Sequence, residues 1–331
     1  MFIDTNDCKV KNTSRKAAAV IFDSPQHLSL GTLALPTVQA GQVEVAVQYS
    51  GISTAMERML WDGSLPRVRG LHYPLVPGYE TVGRVVRAGD DMDLKEGQAV
   101  FVSGANCFSG VTSLYGAAAS RLVASEKDVL PVADHLGADA VLMALAATAY
   151  HAVSGGGRHA AFTPPDLIIG HSVMGRLLAR LTIAAGFPAP TVWETQEARA
   201  TAGDGYNVIR PSDDPRQDYQ AIYDVSGDAT DLDLWLQKIK PGGDIVLAGF
   251  YRNTLQFSHA NAFGREPSIR MASEWTRSDL LAVNQLVNTG RLSLAGLITH
   301  TENSHAATKA YQTAFGDISC LKMVLDWSTN A

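Results

Sequence analysis

Asp166-Leu-Ile-Ile-Gly170-His-Ser172-Val-Met-Gly175-Arg-Leu-Leu-Ala-Arg-Leu-Thr-Ile-Ala-Ala185 decides the fold. Leu167 to Ile169 form a short apolar run, and beyond Gly175 the residues Leu177, Leu178, Leu181 and Ala185 recur at helical spacing. A change of period across a glycine turn predicts the first βα unit of a doubly wound parallel sheet. Gly170 lets the chain turn sharply off the strand, and Gly175 lets the helix pack closely on the sheet. Backbone N–H groups around Ser172, Val173 and Met174, with the positive helix end, then face a pyrophosphate. Ser172 stands where G-x-G-x-x-G has its middle glycine; its small side chain permits the approach and its hydroxyl adds a donor. Thr191-Val-Trp-Glu194 reads as a second strand ending in a carboxylate, placed to accept ribose hydroxyls and to repel a 2′-phosphate, which favours NAD over NADP. The glycines alone fit any strand-to-helix turn. Strand, helix and acid together point to a dinucleotide.

A length of 331 residues suits two domains, and 46% hydrophobic residues are ample for two cores. With a net charge of −6 and no dense basic cluster, nucleic acid is excluded as an expected partner. Residues 1–15 are polar and charged and read as a loose tail without a secretory signal. The longest apolar run, Ala140 to Tyr150, is too short to span a bilayer and reads as a buried helix. Cys8, Cys107 and Cys320 are odd in number and far apart, which argues for a reducing cytoplasm and against a disulfide framework or a Cys-rich zinc site.

From Lys16 to about Leu130 short runs bounded by turns predict a mostly antiparallel β region: Ala17 to Phe22, Val43 to Tyr49, Thr81 to Ala88, Ala99 to Val102 and Ala119 to Val123. After Glu194, strands are predicted at Gly205–Ile209, Ala221–Val225, Asp244–Ala248 and Ser268–Met271, completing six parallel strands. Asp224-Val-Ser226-Gly and Leu247-Ala-Gly249-Phe end two of them and should line the cofactor crevice. Ser278 to Thr289 reads as a further helix. Beyond Arg291, a strand at Leu297–His300, a helix at Ala306–Phe315 and a strand at Lys322–Asp326 break the alternation, so this tail should return to the first domain.

A β-rich first part, a helix bearing Thr148-Ala-Tyr-His151, a central Rossmann unit and a returning tail resemble the medium-chain dehydrogenase/reductase superfamily over about residues 16–328. The resemblance implies an α/β fold with a GroES-like catalytic domain (16–137 and 291–331), a six-stranded Rossmann NAD-binding domain (138–290) and a homodimer. Zinc-bearing members carry ligands at positions similar to Ser53, Tyr79 and Ala144, and a four-Cys lobe where this chain offers only Cys107. No metal is therefore expected. Gly51-Ile-Ser-Thr, Tyr73 to Val86, Gly104 to Cys107, Ala119 to Leu122 and Ile169 to Leu178 further resemble the bacteriochlorophyll-synthesis branch. That branch implies oxidation of the 3-(1-hydroxyethyl) group of a chlorin or bacteriochlorin to acetyl with NAD. Ala55-Met56 and Ser172 depart from its pattern. A zinc-free NADPH-dependent quinone or enoyl reductase and a non-catalytic binding protein are the alternatives.

Alcohol oxidation without a metal needs a group that takes the hydroxyl proton as the hydride leaves. At the former zinc positions the candidates are Tyr79, Ser53 and Glu80, with Thr54, Glu57 and His151 nearby in sequence. Tyr79 can bond the carbinol oxygen but needs a helper to act as a base, and Ser53 can relay a proton without originating basicity. Glu80 is that helper or a supporting residue; His151 is a titrating group or a packed helix residue. Thr148 is expected against the cofactor. For a flat tetrapyrrole, Trp61, Tyr73, Phe108, Tyr115 and Trp275 are candidate aromatic walls, His72 a candidate axial ligand to its magnesium, and Arg67 and Arg69 candidate partners of its propionate.

Overall fold

The computed structural model describes residues 15–65, 69–155, 162–252, 254–272 and 274–330. Arg67, Cys8 and all of the expected tail except Arg15 lie outside them. Arg15 itself pairs with the buried Glu44.

Six strands form one parallel sheet in the order Asn207–Ile209, Thr191–Trp193, Leu167–Ile169, Tyr219–Asp224, Ile239–Leu247, Ser268–Met271. The first strand in sequence lies inside the sheet, and the chain winds outward from it on both sides. That arrangement opens a crevice at the carboxyl ends of the strands, where Gly170 follows Ile169. Alternate side chains cover both faces. Ile168, Val192, Tyr223 and Val246 pack under the helices Met143–Ser154, Val173–Ala184 and Arg277–Asn288. Leu167, Trp193, Ile222 and Ile245 face Leu232, Trp235 and Leu236 of the helix Leu232–Lys238. Each of these aliphatic residues contributes about 1.5–3 kcal/mol on full burial, which is why a parallel sheet needs apolar residues on consecutive positions.

Residues 16–131 and the returning tail build two further sheets. The larger runs His300–Asn303, Met323–Asp326, Gln42–Ile52, Thr81–Ala88, Ala99–Val102, Val129–Pro131, with Arg121–Ser125 also paired to Gln42–Ile52. The smaller runs His27–Ala34, Lys16–Ser24, Leu75–Pro77, Thr112–Leu114. The tail thus rejoins the first sheets, and its strand Met323–Asp326 lies antiparallel against Gln42–Ile52.

Several boundaries differ from the sequence reading, each for a tertiary reason. The Ala140–Tyr150 helix begins as 3₁₀ turns over Asp134–Leu142, broken at Gly137 (φ 48°), and becomes α-helical only over Met143–Ser154. By length and composition Asp134–Ser154 is apolar enough to cross a membrane, but its helix is sealed between Val173–Ala184 and Arg277–Asn288. Leu297 is not in a strand; it is buried in the core beside the parallel sheet, and pairing starts at His300. Met56–Asp62, to which the sequence reading assigned no element, is a helix that buries Glu57, Met59 and Leu60.

Candidate active site

Three strand ends converge at the crevice. Gly170 adopts φ +102°, a conformation glycine tolerates best, and a Cβ there would stand 3.3 Å from Ser226. A Cβ on Gly249 would stand 3.0 Å from the Gly227 nitrogen, and one on Gly175 would overlap the Gly170 carbonyl at 2.0 Å. These glycines hold the loops at backbone contact and leave a cradle with the helix N-terminus facing it, which fits a dinucleotide. Val173 and Met174 are buried in the first turn of that helix. Ser172 is its N-cap: the hydroxyl accepts from the Gly175 amide at 3.5 Å, where the sequence reading had it as a donor.

Glu194 is buried at the end of the second strand, and its carboxylate accepts from the His171 amide at 2.9 Å and the Gln196 amide at 2.8 Å. The acid therefore clamps the glycine turn to the loop after Trp193, and each oxygen keeps further acceptor capacity. Beneath it the buried His171 ring bridges the Arg199 carbonyl (2.8 Å) and the Tyr206 hydroxyl (2.9 Å), and burial pushes its pKa down. On the facing loop Asp224 accepts from the exposed Ser226 hydroxyl at 2.7 Å and from Tyr251. Burial raises Asp224 to about 6 despite these donors. Thr148 turns its hydroxyl onto the Ala144 carbonyl within its own helix.

The second cluster lies where Gln42–Ile52 ends. Tyr79 donates to Ser53 Oγ at 2.7 Å, and Tyr79 packs against the same core that contains Met174, Val225 and Ala144. Tyr79 is half-buried overall, but burial of its hydroxyl end, reinforced by the Glu80 charge, pushes its pKa well above the ordinary value. Glu80, wholly buried, pairs with Lys322, whose ammonium also donates to the Ile52 carbonyl at 3.0 Å. Gly51 makes room for this pair, since a Cβ there would sit 2.4 Å from Glu80 Oε2. Glu57, also wholly buried, accepts from the Tyr311 hydroxyl at 2.8 Å. Burial raises its pKa to about 8; Tyr311 and Lys322 pull it down while Glu80 pushes it further up. Thr54 is exposed.

The three zinc-ligand positions do not fit a metal. Tyr79 gives its proton to Ser53, whose neutral hydroxyl is a poor metal ligand, Ala144 has no donor side chain, and no group of three His, Cys, Asp or Glu residues suited to a metal occurs among the described residues. His151 bonds Asp279 at 2.8 Å, and Asp279 in turn closes a capping box with Thr276. That network joins two helices, which matches the packing role for His151.

The aromatic candidates separate. Tyr115 stands edge-on to Tyr79 at 5.4 Å and reaches Glu274 at 2.9 Å, while Trp275 packs on the same core as Tyr79. Trp61 packs between Phe22 and Phe315, Tyr73 bonds the Leu60 carbonyl, and Phe108 is buried with Val76 and Ala119. Phe108 is a core residue of the first sheets, and Trp61 and Tyr73 are partly buried against their core. His72 and Arg69 are exposed. The sequence reading passed over Lys322, Tyr311 and His171 and gave Glu57 no role. A lysine inside the apolar run Leu321-Lys-Met-Val-Leu was the available signal for Lys322.

Residues 39–134 match the alcohol dehydrogenase GroES-like domain family. The chain is 45% identical over 321 residues to the 2-desacetyl-2-hydroxyethyl bacteriochlorophyllide A dehydrogenase of Cereibacter sphaeroides, covering 96% of this chain and 100% of the relative. Among solved structures it is similar to an alcohol dehydrogenase from Escherichia coli CFT073 complexed with NADH (TM-score 0.78, 20% identity, 94% of this chain and 99% of that one). It is also similar to a dehydrogenase from Sinorhizobium meliloti 1021 bound to NADP (TM-score 0.79, 18% identity, 94% and 99%). At these identities the structures establish the shared fold.

Proposed function

The chain belongs to the 2-desacetyl-2-hydroxyethyl bacteriochlorophyllide A dehydrogenase family of the medium-chain dehydrogenase/reductase superfamily, and on that premise we propose how its own residues carry the reaction. The protein is an oxidoreductase that oxidises the 3-(1-hydroxyethyl) side chain of a bacteriochlorophyllide or chlorophyllide to 3-acetyl with a nicotinamide cofactor, in bacteriochlorophyll synthesis. The observation that carries the mechanism is the Tyr79–Ser53 hydrogen bond at the end of Gln42–Ile52, at positions that resemble the ligand positions of zinc-bearing members.

The nicotinamide, when bound, supplies the hydride acceptor. Gly170, Ser172, Val173, Met174, Gly175, Ser226 and Gly249 would hold the dinucleotide, with Thr148 flanking it. The Glu194 carboxylate favours NAD, because a 2′-phosphate beside a buried anion is repelled. Tyr79 would bond the carbinol oxygen and stabilise its developing negative charge, with Ser53 holding the Tyr79 hydroxyl. Tyr115, edge-on to Tyr79, would wall the macrocycle. We further read the division into a 16–137 plus 291–331 unit and a 138–290 unit as two domains, and the working form as a cytoplasmic homodimer.

Purified protein incubated with NAD and 3-(1-hydroxyethyl) bacteriochlorophyllide should produce NADH together with the absorption shift of acetyl formation. NADP should be at least about tenfold poorer by kcat/KM, an effect of about 1.4 kcal/mol. A preference for NADP would remove Glu194 from its assigned role, and absence of any shift would refute the reaction.

A further inference from the structure

The reaction releases a proton into a buried corner, and neither Tyr79 nor Ser53 can keep it. Glu80 is the carboxylate next in sequence to Tyr79, but its charge is matched by the Lys322 ammonium, which is itself anchored on the Ile52 carbonyl. Glu57 is different. Among the described residues no cation pairs with it: its Oε2 accepts from Tyr311, and its Oε1, like Glu80 Oε1, is buried without a hydrogen-bond partner, but only Glu80 has an ammonium to match its charge. An orphaned carboxylate oxygen in a fully buried site is uncommon and calls for a proton or a donor. The nearest relay residue is Ser53, whose backbone amide approaches the Glu57 carboxylate; its hydroxyl is not hydrogen-bonded to Glu57 in this structure, so the last transfer requires the Ser53 hydroxyl to swing onto Oε1. Ser53 Oγ already accepts from Tyr79, and its own proton remains to be given.

We propose that Glu57 is the terminal proton acceptor of the alcohol oxidation, reached from the substrate hydroxyl through Tyr79 and Ser53. The inference rests on the reaction assigned above. The carbinol C–H bond breaks, its electron pair leaves as hydride to the oxidised nicotinamide, and C–O becomes C=O. The hydroxyl proton moves to Tyr79 Oη as the Tyr79 proton passes to Ser53 Oγ and the Ser53 proton to Glu57 Oε1. Tyr79 and Ser53 end as they began, and Glu57 goes from carboxylate to acid. Thr54, Ala55 and Met56 make the connection from Ser53, at the strand end, into the helix that buries Glu57.

The groups facing Glu57 are Tyr311 from the helix Ala307–Gly316, Lys322 from the returning tail, Glu80 from the turn after Leu75–Pro77, and Ser53. Burial and this set place Glu57 at about 8, so its carboxylate form, the one that accepts, grows in as pH rises toward that value.

The test is a pH profile of kcat with the hydroxyethyl pigment and NAD. Wild-type protein should show a rising limb with its midpoint near 8. Glu57→Gln should lower kcat by about 100-fold or more and abolish the limb, and Glu57→Asp should restore part of both. Tyr311→Phe, which removes a donor that lowers the Glu57 pKa, should move the limb to higher pH, and it decides the matter if Glu57→Gln fails to fold. An active wild type whose limb is unmoved by Tyr311→Phe, or a folded Glu57→Gln variant with wild-type kcat, overturns the proposal alone. An inactive wild type overturns the assigned reaction and the proposal with it.

Discussion

Two buried glutamates close to one strand end meet different fates because of what reaches them. Glu80 receives an ammonium from the returning tail, and Glu57 receives only hydroxyl and amide donors. The consequence extends to stability. Glu57 titrates near its ordinary 4.5 when unfolded and near 8 when folded. Between those values the folded state keeps a proton that the unfolded state has lost, so this residue lowers stability progressively as pH rises from about 4.5 to about 8. The slope contributed is at most roughly 1.4 kcal/mol per pH unit. Denaturant midpoints across that window should therefore fall more steeply for wild type than for Glu57→Gln, which keeps an acceptor for Tyr311 and cannot ionise. Equal slopes would show that Glu57 is not held protonated.

Among the elements, the strand-turn-helix from Leu167 to Ala184 tolerates least change. Gly175 packs its helix against the turn so closely that an added methyl group meets the Gly170 carbonyl, a backbone atom that cannot rotate away. Gly175→Ala should cost about 1–3 kcal/mol of stability. It should also weaken binding of the nicotinamide dinucleotide by at least about tenfold, because relief of the clash moves the helix end away from the pyrophosphate; calorimetric titration reads this directly. Unchanged affinity would mean that the cradle does not depend on that contact. This element was legible in the sequence because its signals are local: an apolar run, glycines at fixed offsets and a helical period. The role of Ser172 was only half legible. A serine at that spacing is read as a tolerated replacement for glycine, and only the backbone geometry shows it capping the helix.

For the whole molecule, Asp62 accepts from Arg252 at 2.7 Å and Tyr115 donates to Glu274 at 2.9 Å, so residues of the first sheets are tied to loops beside the parallel sheet at two points. The parallel sheet ends on Ser268–Met271, whose outer edge has no paired strand among the described residues, and Met271 beside it is 62% exposed. The homodimer belongs to the proposed function, and this edge is where its disruption is tested. Light scattering should give twice the 35.4 kDa chain mass, and Arg270→Pro, which introduces a ring into the edge strand, should yield monomer. A monomeric wild type would remove the homodimer from the proposed function.

The sequence alone determined the six-strand alternation, the return of the tail, the glycine turn with its acid and the loss of zinc ligands at Ser53, Tyr79 and Ala144. The first three rest on residue type at short spacing, and the last on the resemblance to zinc-bearing dehydrogenases. Tertiary structure alone decided which carboxylate is free to take a proton. Lys322 and Tyr311 lie more than two hundred residues beyond Glu57 and Glu80 and reach them only because Met323–Asp326 pairs with Gln42–Ile52. The charge state of a buried acid depends on what stands within a few ångströms of it, and chain spacing does not specify that. Pairing of the tail with the first sheets brings those partners in.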